Sequence, residues 1–406
     1  MLHKEVIVPS ICSAVVAGVS LVFYATLVQT VSSELSAAFI ATTSLAAMVQ
    51  IAFVPQAWVY VFGSHEQSDR RTRFSSSTLA ELGGGLAGLL VAVPLASVSE
   101  QGLSVLLAYA ALTMGGSNAA QGYLRGQGRW ATYALFVTLP SFLRLAIAAL
   151  HSLSSFIKTD SLSEIVVVYL LIPEGIRYLL LNVPLALGAR QNVKLEQLRQ
   201  TVRHLFRNWL YDIGSATTEV ADKYLLSLIV SPSLLIVYFF VRKISSAVTI
   251  ILEPFYSSHY RTLSAKIDQS FTRIELTRPL QSGYLIAVLI FLALLAAITI
   301  LSQVSFGSLV LIPDVLFANM PLFIACLFID GFIAANRWGR YVSILNHSAA
   351  SLLVARWFCF AVFMLTVLGL SPRSDSMALV VGFSLYAILE FAYVTKSTRG
   401  FKIIPA

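Results

Sequence analysis

The feature that most constrains this chain is a repeated alternation of apolar stretches with short basic loops, which continues through all 406 residues. Only 12% of the residues are charged and 57% are hydrophobic, so the charges are concentrated in loops instead of covering a water-exposed surface. Because one helical crossing of a bilayer needs about 20 apolar residues, the sequence predicts an all-α, polytopic transmembrane bundle of about 12 helices. Too few residues remain for a soluble catalytic domain.

Twelve segments are long and apolar enough to serve as these helices. We predict spans at approximately Val6–Val28, Ser36–Phe62, Ser77–Val98, Leu103–Tyr123, Ala131–His151, Ser163–Gly188, Trp209–Val230, Leu234–Tyr256, Pro279–Ser302, Asp314–Ala335, Ile344–Leu370 and Met377–Thr395. The longest inside connection, Ala189–Asn208, has apolar residues at helical spacing with arginines on its other faces, which predicts a helix in the membrane interface. It divides the chain into a six-helix lobe of residues 1–188, an amphipathic linker of residues 189–208 and a six-helix lobe of residues 209–406, which we expect to surround a central cavity.

The distribution of lysine and arginine predicts the orientation, because cytoplasmic loops of membrane proteins collect positive charge. If the N-terminus is inside, 20 of the 28 Lys and Arg residues lie in inside segments and only 2 in outside loops. We therefore expect both termini in the cytoplasm. This topology explains the basic pI of about 9.4 without a nucleic-acid partner.

The remaining charges lie within the predicted spans, where an ionisable group costs at least ~2.5–3.5 kcal/mol on insertion scales. The cations are candidate substrate-binding residues: Arg144, Arg177, Lys223, Arg242, Lys243 and Arg356. The acids are candidate coupling-ion or cavity residues: Glu174, Asp212, Glu219, Asp222 and Asp330, with Glu81 and Glu390 as further isolated charges. A hydrated cavity explains the whole set, whereas any single pair, such as Glu174 with Arg177 or Asp222 with Arg242, could be structural.

Motifs of soluble enzyme chemistry are missing from the sequence. It contains no HExxH, GxxxxGK[ST] or GxSxG pattern, and its histidines are scattered near predicted helix ends. The three cysteines lie in apolar stretches without CxxC spacing, which is typical of buried small side chains. We predict no metal site, no cofactor and no enzyme activity.

Residues 221–244 resemble the seventh-to-eighth span hairpin of bacterial polysaccharide flippases, which belong to the multidrug/oligosaccharidyl-lipid/polysaccharide exporter superfamily. In that hairpin an Asp with a basic neighbour, here Asp222 and Lys223, opens an apolar run, and a small turn precedes a Tyr and a residue pair that enters the cavity. The link Arg125–Arg129 is also similar, and residues 29–39 resemble the polar link after the first span, with Ala38 and Phe39 in place of the family's Gly-Tyr pair.

This resemblance implies a function in a bacterial inner membrane. It implies flipping of an undecaprenyl-diphosphate-linked oligosaccharide from the cytoplasmic to the outer leaflet, by alternating access, for surface polysaccharide biosynthesis. The basic residues would meet the diphosphate, since Arg and Lys suit phosphate. The acids could bind a coupling proton or sodium ion, and a polysaccharide polymerase would be a partner besides the lipid-linked glycan and the bilayer.

Three other classes of protein were weighed against this interpretation. A multidrug or cation antiporter of the same superfamily would bind its substrate at the acidic face of the seventh span, but the mixed charge favours an anionic headgroup. A major-facilitator carrier also has six plus six spans, but its Gly-Asp-Arg-Arg loop has the wrong spacing in residues 63–73. A membrane glycosyltransferase or polymerase usually needs a larger outside loop than any predicted here.

Overall fold

The computed structural model describes residues 4–55, 57–62, 66–98, 101–115, 118–153, 160–189, 191–264, 273–301, 313–339, 341 and 349–399. Within these ranges the chain is helical apart from short turns, and no strand is present. The chain forms two compact units, Met1–Tyr224 and Leu225–Ala406. The predicted all-α transmembrane bundle is confirmed.

The first unit is built from helices that follow one another with short connections. They are α1 (Lys4–Thr30), α2 (Ser33–Phe53), α3 (Trp58–Phe62), α4 (Gln67–Val98), α5 (Gly102–Gly115), α6 (Asn118–Gly126), α7 (Trp130–Leu153), α8 (Leu162–Val166), α9 (Ile172–Arg177), α10 (Val183–Gly188) and α11 (Leu195–Ser227). Helix α1 packs against α7, and α2 packs against α5. Their shared core contains Phe23, Phe39, Tyr109 and Tyr169, all almost fully buried.

The second unit contains α12 (Pro232–Ser264), α13 (Arg273–Leu301), α14 (Asp314–Ala318), α15 (Met320–Ala335), α16 (Ala349–Leu370) and α17 (Asp375–Arg399). Helix α15 packs against α12, α13 and α17, and α16 packs against α17. A core cluster forms where Leu252 and Tyr256 of α12 meet Trp338 and Val394. Helix α15 is therefore the central element of this unit.

Each of the twelve predicted spans falls on one or more of these helices. Within the described ranges, eight helices are long and apolar enough to cross a membrane, and the shorter apolar helix Met320–Ala335 adds to them. Helices α11 and α12 carry several charges within their lengths, while the sixth span is divided among α8, α9, α10 and the segments between them. Charge distinguishes α11 and α12 from the other helices, and division into short segments distinguishes the sixth span.

The predicted linker and the predicted seventh span share one helix. Helix α11 begins at Leu195 and continues for 33 residues to Ser227, and so includes most of both segments. The boundary between the compact units falls after Tyr224, near the end of this helix. The division into residues 1–188, 189–208 and 209–406 stays a prediction.

Candidate functional site

Glu174 of α9 is the centre of a buried ion network in the first unit. Its Oε2 lies 3.0 Å from Nη2 of Arg177, one turn further along the same helix. Its Oε1 accepts a hydrogen bond from Nη2 of Arg144 on α7. The exposed fractions of the Arg177 and Glu174 side chains are 6% and 9%, whereas that of Arg144 is 18%. Two of the predicted cations therefore share one buried carboxylate.

Arg177 is also held by groups that carry no formal charge. Its Nη2 donates a hydrogen bond to the backbone oxygen of Met114, 3.2 Å away. Its guanidinium carbon lies 4.8 Å from the centre of the Phe136 ring, in cation–π geometry. Gly115 permits this arrangement, because a Cβ at that position would lie 2.8 Å from Glu174 Oε2.

Two π-helical segments flank the helix that carries Glu174 and Arg177. They are Val167–Leu171 and Tyr178–Asn182, and each ends two residues before a proline, Pro173 or Pro184. A proline cannot donate the usual bond to the residue four positions earlier, and its ring clashes with that carbonyl. The wider π turns, closed by the bonds from Ile172 N–H to Val167 O and from Val183 N–H to Tyr178 O, accommodate both prolines. Such π turns are frequent at functional sites.

A cavity of about 370 Å³ lies beside this network, within the first unit. Arg144, Glu174 and Gly115 form one part of its wall, whereas Arg177 does not line it. The other lining residues are three amides and three apolar side chains, namely Gln50, Asn118, Gln121, Ile51, Val54 and Leu112. At about 30 Å³ per water molecule, the space suits several waters or a small polar group. We refer to this space as the Arg144 cavity.

Glu81 of α4 contacts the beginning of α6, the helix that carries two of the cavity amides. It is 7% exposed, and its Oε1 accepts a hydrogen bond of 2.8 Å from the backbone N–H of Ala119. A carboxylate at a helix N-terminus satisfies a donor that lacks an intrahelical partner. Glu81 therefore fixes the start of the helix that presents Asn118 and Gln121.

The second unit contains two further ion pairs between the predicted residues. Arg242 Nη1 of α12 lies 2.7 Å from Asp330 Oδ1 of α15, and the Asp330 side chain is fully buried. Arg356 Nε of α16 lies 3.8 Å from Glu390 Oε1 of α17. Each of these arginines thus has its own carboxylate, unlike the two arginines that share Glu174.

The remaining predicted residues lie on α11 and α12. Lys223 Nζ lies 3.1 Å from Oδ1 of its neighbour Asp222, which is 2% exposed. Lys243 Nζ lies 5.5 Å from the centre of the Phe239 ring. Asp212 and Glu219 are on α11, but their side chains lie outside the described part. A structural pair of Asp222 with Arg242, which the sequence allows, stays a prediction.

Sequence reasoning missed the amides of the Arg144 cavity and the role of Gly115. A glycine in an apolar segment generally permits close helix packing, and the groups that approach Gly115 in the structure are charged. The three amides, Gln50, Asn118 and Gln121, carry no charge, so the argument from buried ionisable residues does not select them. Their position as polar side chains within apolar stretches is the sequence feature that could have indicated a cavity.

Comparison with solved structures gives matches over nearly the whole chain. A multidrug resistance MATE family transporter of the MOP superfamily, in an inward-facing conformation, matches with a TM-score of 0.61, 13% identity and 98% of both chains covered. The eukaryotic MATE transporter AtDTX14 matches with a TM-score of 0.56, 11% identity, and 97% of this chain and 96% of that chain covered. A MOP superfamily transporter from Pyrococcus furiosus, whose binding pocket is described as having reverse polarity, matches with a TM-score of 0.50, 13% identity, and 98% and 96% covered.

No protein-family model matches the sequence, and no curated protein matches it. At these identities the structural matches establish the fold alone. The chain has the all-α transmembrane fold of MATE transporters.

Proposed function

We propose that this protein is a membrane transporter that exports an organic substrate by alternating access, and that the Arg144 cavity receives a polar part of that substrate. The observation that carries the proposal is the ion pair of Arg144 with Glu174 in the wall of a cavity inside a membrane-spanning unit. Charges within a membrane tend to face protein or water and to mark substrate or ion pathways. The MATE-like fold supports the same conclusion.

The network gives the transporter a way to couple binding to helix arrangement. A substrate anion would compete with Glu174 for Arg144, whereas a proton or sodium ion would compete with Arg144 for Glu174. Either exchange loosens the contact that joins α7 to α9. Arg177 is held in place by Met114 and Phe136, and its ion pair with Glu174 does not depend on Arg144. When a substrate anion takes Arg144, Glu174 therefore retains one partner.

Multidrug export is the first candidate for the substrate class. The solved structure with a TM-score of 0.61 is that of a multidrug resistance transporter, and its likeness to this chain covers 98% of both. The cavity wall combines apolar side chains, amides and one ion pair, a mixture that suits amphipathic organic molecules.

Flipping of a lipid-linked oligosaccharide is the second candidate, and a specific observation favours it. Two arginines share Glu174, so the network has one more cation than carboxylate and could receive a phosphate. The resemblance of residues 221–244 to polysaccharide flippases points the same way. If the protein is such a flippase, we expect it in a bacterial inner membrane with both termini in the cytoplasm. A proton or sodium ion would drive transport, and a polysaccharide polymerase would be its partner.

Two complementation assays separate the candidates. The protein is expressed in a bacterial strain that lacks its drug exporters, and in another that lacks a polysaccharide flippase. A multidrug exporter raises drug resistance and dye efflux in the first strain, while a flippase restores surface polysaccharide in the second. Arg144→Ala should abolish whichever activity is found, and Arg199→Ala, which removes an exposed arginine of α11, should not. Full activity of the Arg144→Ala variant in both assays would contradict the proposed site.

A further inference from the structure

A second cavity of the first unit lies away from the ion network. It has a volume of about 440 Å³ and lies between the start of α4, the turn that joins α6 to α7, and the region of α10. Its described lining shares no residue with the Arg144 cavity. We refer to it as the Arg71 cavity, after one of the two arginines in its lining.

One side of the Arg71 cavity is built to meet an anion. Arg71 and Arg129 both line it, and no carboxylate is present among the described lining residues. The Nε of Arg71 is buried and donates no hydrogen bond within the described part of the chain. Helix α7, with 24 residues, begins at Trp130 and presents Thr132 to the cavity, so the positive end of its dipole adds to the two arginines.

The other side of the cavity is apolar and continuous with exposed hydrocarbon surface. Leu180, Leu181, Pro184 and Leu185 form this side. Leu180 in the second π segment is 63% exposed, and Leu187 in α10, which directly follows that segment, is 68% exposed. In a chain that crosses a bilayer, such exposed leucines contact acyl chains. The cavity therefore connects a cationic pocket with the lipid-facing surface of one helix.

We propose that the Arg71 cavity binds the phosphate headgroup of an anionic phospholipid, whose acyl chains lie along the exposed leucines of the π segment and α10. Basic pockets between transmembrane helices are recognised by cardiolipin and similar headgroups. Arginine gives planar, bidentate hydrogen bonds to phosphate oxygens, so Arg71 and Arg129 would both be satisfied by one headgroup. A free phosphate would contact only the cationic side of the cavity, whereas a phospholipid would contact the apolar side as well.

The bound lipid would connect separate elements of the first unit. Arg71 belongs to the first two turns of α4, whereas Arg129 directly precedes α7, the helix that carries Arg144. A headgroup that contacts both arginines would therefore hold these two helices together at one end. This role concerns the folded transporter and is independent of which substrate it carries.

Native mass spectrometry of the full-length protein in detergent tests this site. Cardiolipin and phosphatidylglycerol are added in turn, with phosphatidylcholine as the zwitterionic comparison. We expect the wild type to retain the anionic lipids preferentially, and the Arg71→Ala, Arg129→Ala double variant to lose about fivefold in affinity for each arginine removed. Arg203→Ala, which removes an exposed arginine of α11 outside the cavity, is the matched control and should bind like the wild type.

Two further measurements keep the result unambiguous. The Arg71→Lys, Arg129→Lys variant keeps both charges but loses the bidentate geometry of arginine. A lipid affinity between those of the wild type and the alanine variant would indicate that the arginines contact the headgroup directly and that the alanine variant did not lose binding through misfolding. Inorganic phosphate is tested alone and as a competitor. Equal binding of all lipids, unchanged binding by the alanine double variant, or binding of free phosphate with the same dependence on the arginines would overturn the proposal. Because the readout is lipid binding, failure of the transport assays would not affect it.

Discussion

At the scale of single residues, the arrangement around Glu174 decides what the first unit can do. One carboxylate compensates the buried Arg177 and the partly buried Arg144, and Arg177 receives additional support from Met114 and Phe136. Arg144 has less protein around it, since its side chain is 18% exposed and lines the cavity. Arg177 is thus suited to hold the network, and Arg144 to exchange its partner.

Glu174→Ala should destabilise the protein strongly, because both arginines would lose their carboxylate. Removing one member of a buried pair costs about 3–5 kcal/mol. Adding Arg144→Ala should recover part of the loss, since only Arg177 would then be uncompensated. Thermal unfolding in detergent measures both effects, with Glu196→Ala, an exposed acid of α11, as the control. If the double variant is less stable than the single one, the charge argument is wrong.

Gly115→Ala tests the close approach of α5 to the ion network. The added Cβ would lie 2.8 Å from Glu174 Oε2 and 3.2 Å from Arg177 Nη2, so either the network or α5 must shift. We expect an inserted protein with reduced transport. Gly175→Ala is the matched control, because nothing lies within 4 Å of its Cβ. Equal transport by the two variants would show that the network tolerates the displacement.

At the scale of elements, the sixth span is distinguished by two prolines that each come shortly after a π-helical segment. Pro173 and Pro184 each follow a π-helical segment, and α9 with its two charges lies between those segments. An extra residue per π turn rotates the part that follows relative to a regular α-helix. The prolines therefore contribute to the direction in which Glu174 and Arg177 point.

Replacing Pro173 and Pro184 together with alanine should remove the reason for both π turns. The helix could then form regular bonds, which would rotate α9 and misalign Glu174 with Arg144. We expect transport to fall while helix stability is kept or increased, measured as transport and as slower amide hydrogen exchange across residues 167–182. Pro94→Ala in α4, where the structure has no π segment, should change neither. Unchanged exchange in the double variant would contradict this account.

At the scale of the whole molecule, contacts within each unit agree with the predicted topology. Thr72 donates a hydrogen bond of 2.6 Å to Gln191, so two predicted inside segments meet. In the second unit the backbone N–H of Ser231 donates to Oδ2 of Asp375 at 3.2 Å, which brings two predicted outside turns together. Each contact joins two connections that are predicted to lie on the same side of the membrane. Which side is cytoplasmic is predicted from the lysine and arginine distribution.

Cysteine labelling from outside the cell tests that direction. A cysteine introduced at Ser155 or Asp375 should react with a membrane-impermeant maleimide, and one at Gln67 or Gln269 should not. Ser155 and Gln269 lie outside the described residues. Cys12, Cys326 and Cys359 are buried, so they should contribute little background. Labelling at Gln67 together with protection at Asp375 would reverse the orientation.

The fold class could be predicted from the amino-acid sequence, because the hydrocarbon thickness of a bilayer imposes a length and an apolar composition on every span. The charged residues of the candidate site could also be identified from the sequence, since a charge within an apolar span has an unfavourable insertion free energy. Local spacing suggested the pair of Glu174 with Arg177, which the structure contains. Other partners depend on tertiary structure: Arg144 meets Glu174 across two helices, and Arg242 meets Asp330 across a separation of 88 residues. Pairing of this kind depends on how helices rotate and pack, and neither hydropathy nor local spacing specifies that rotation.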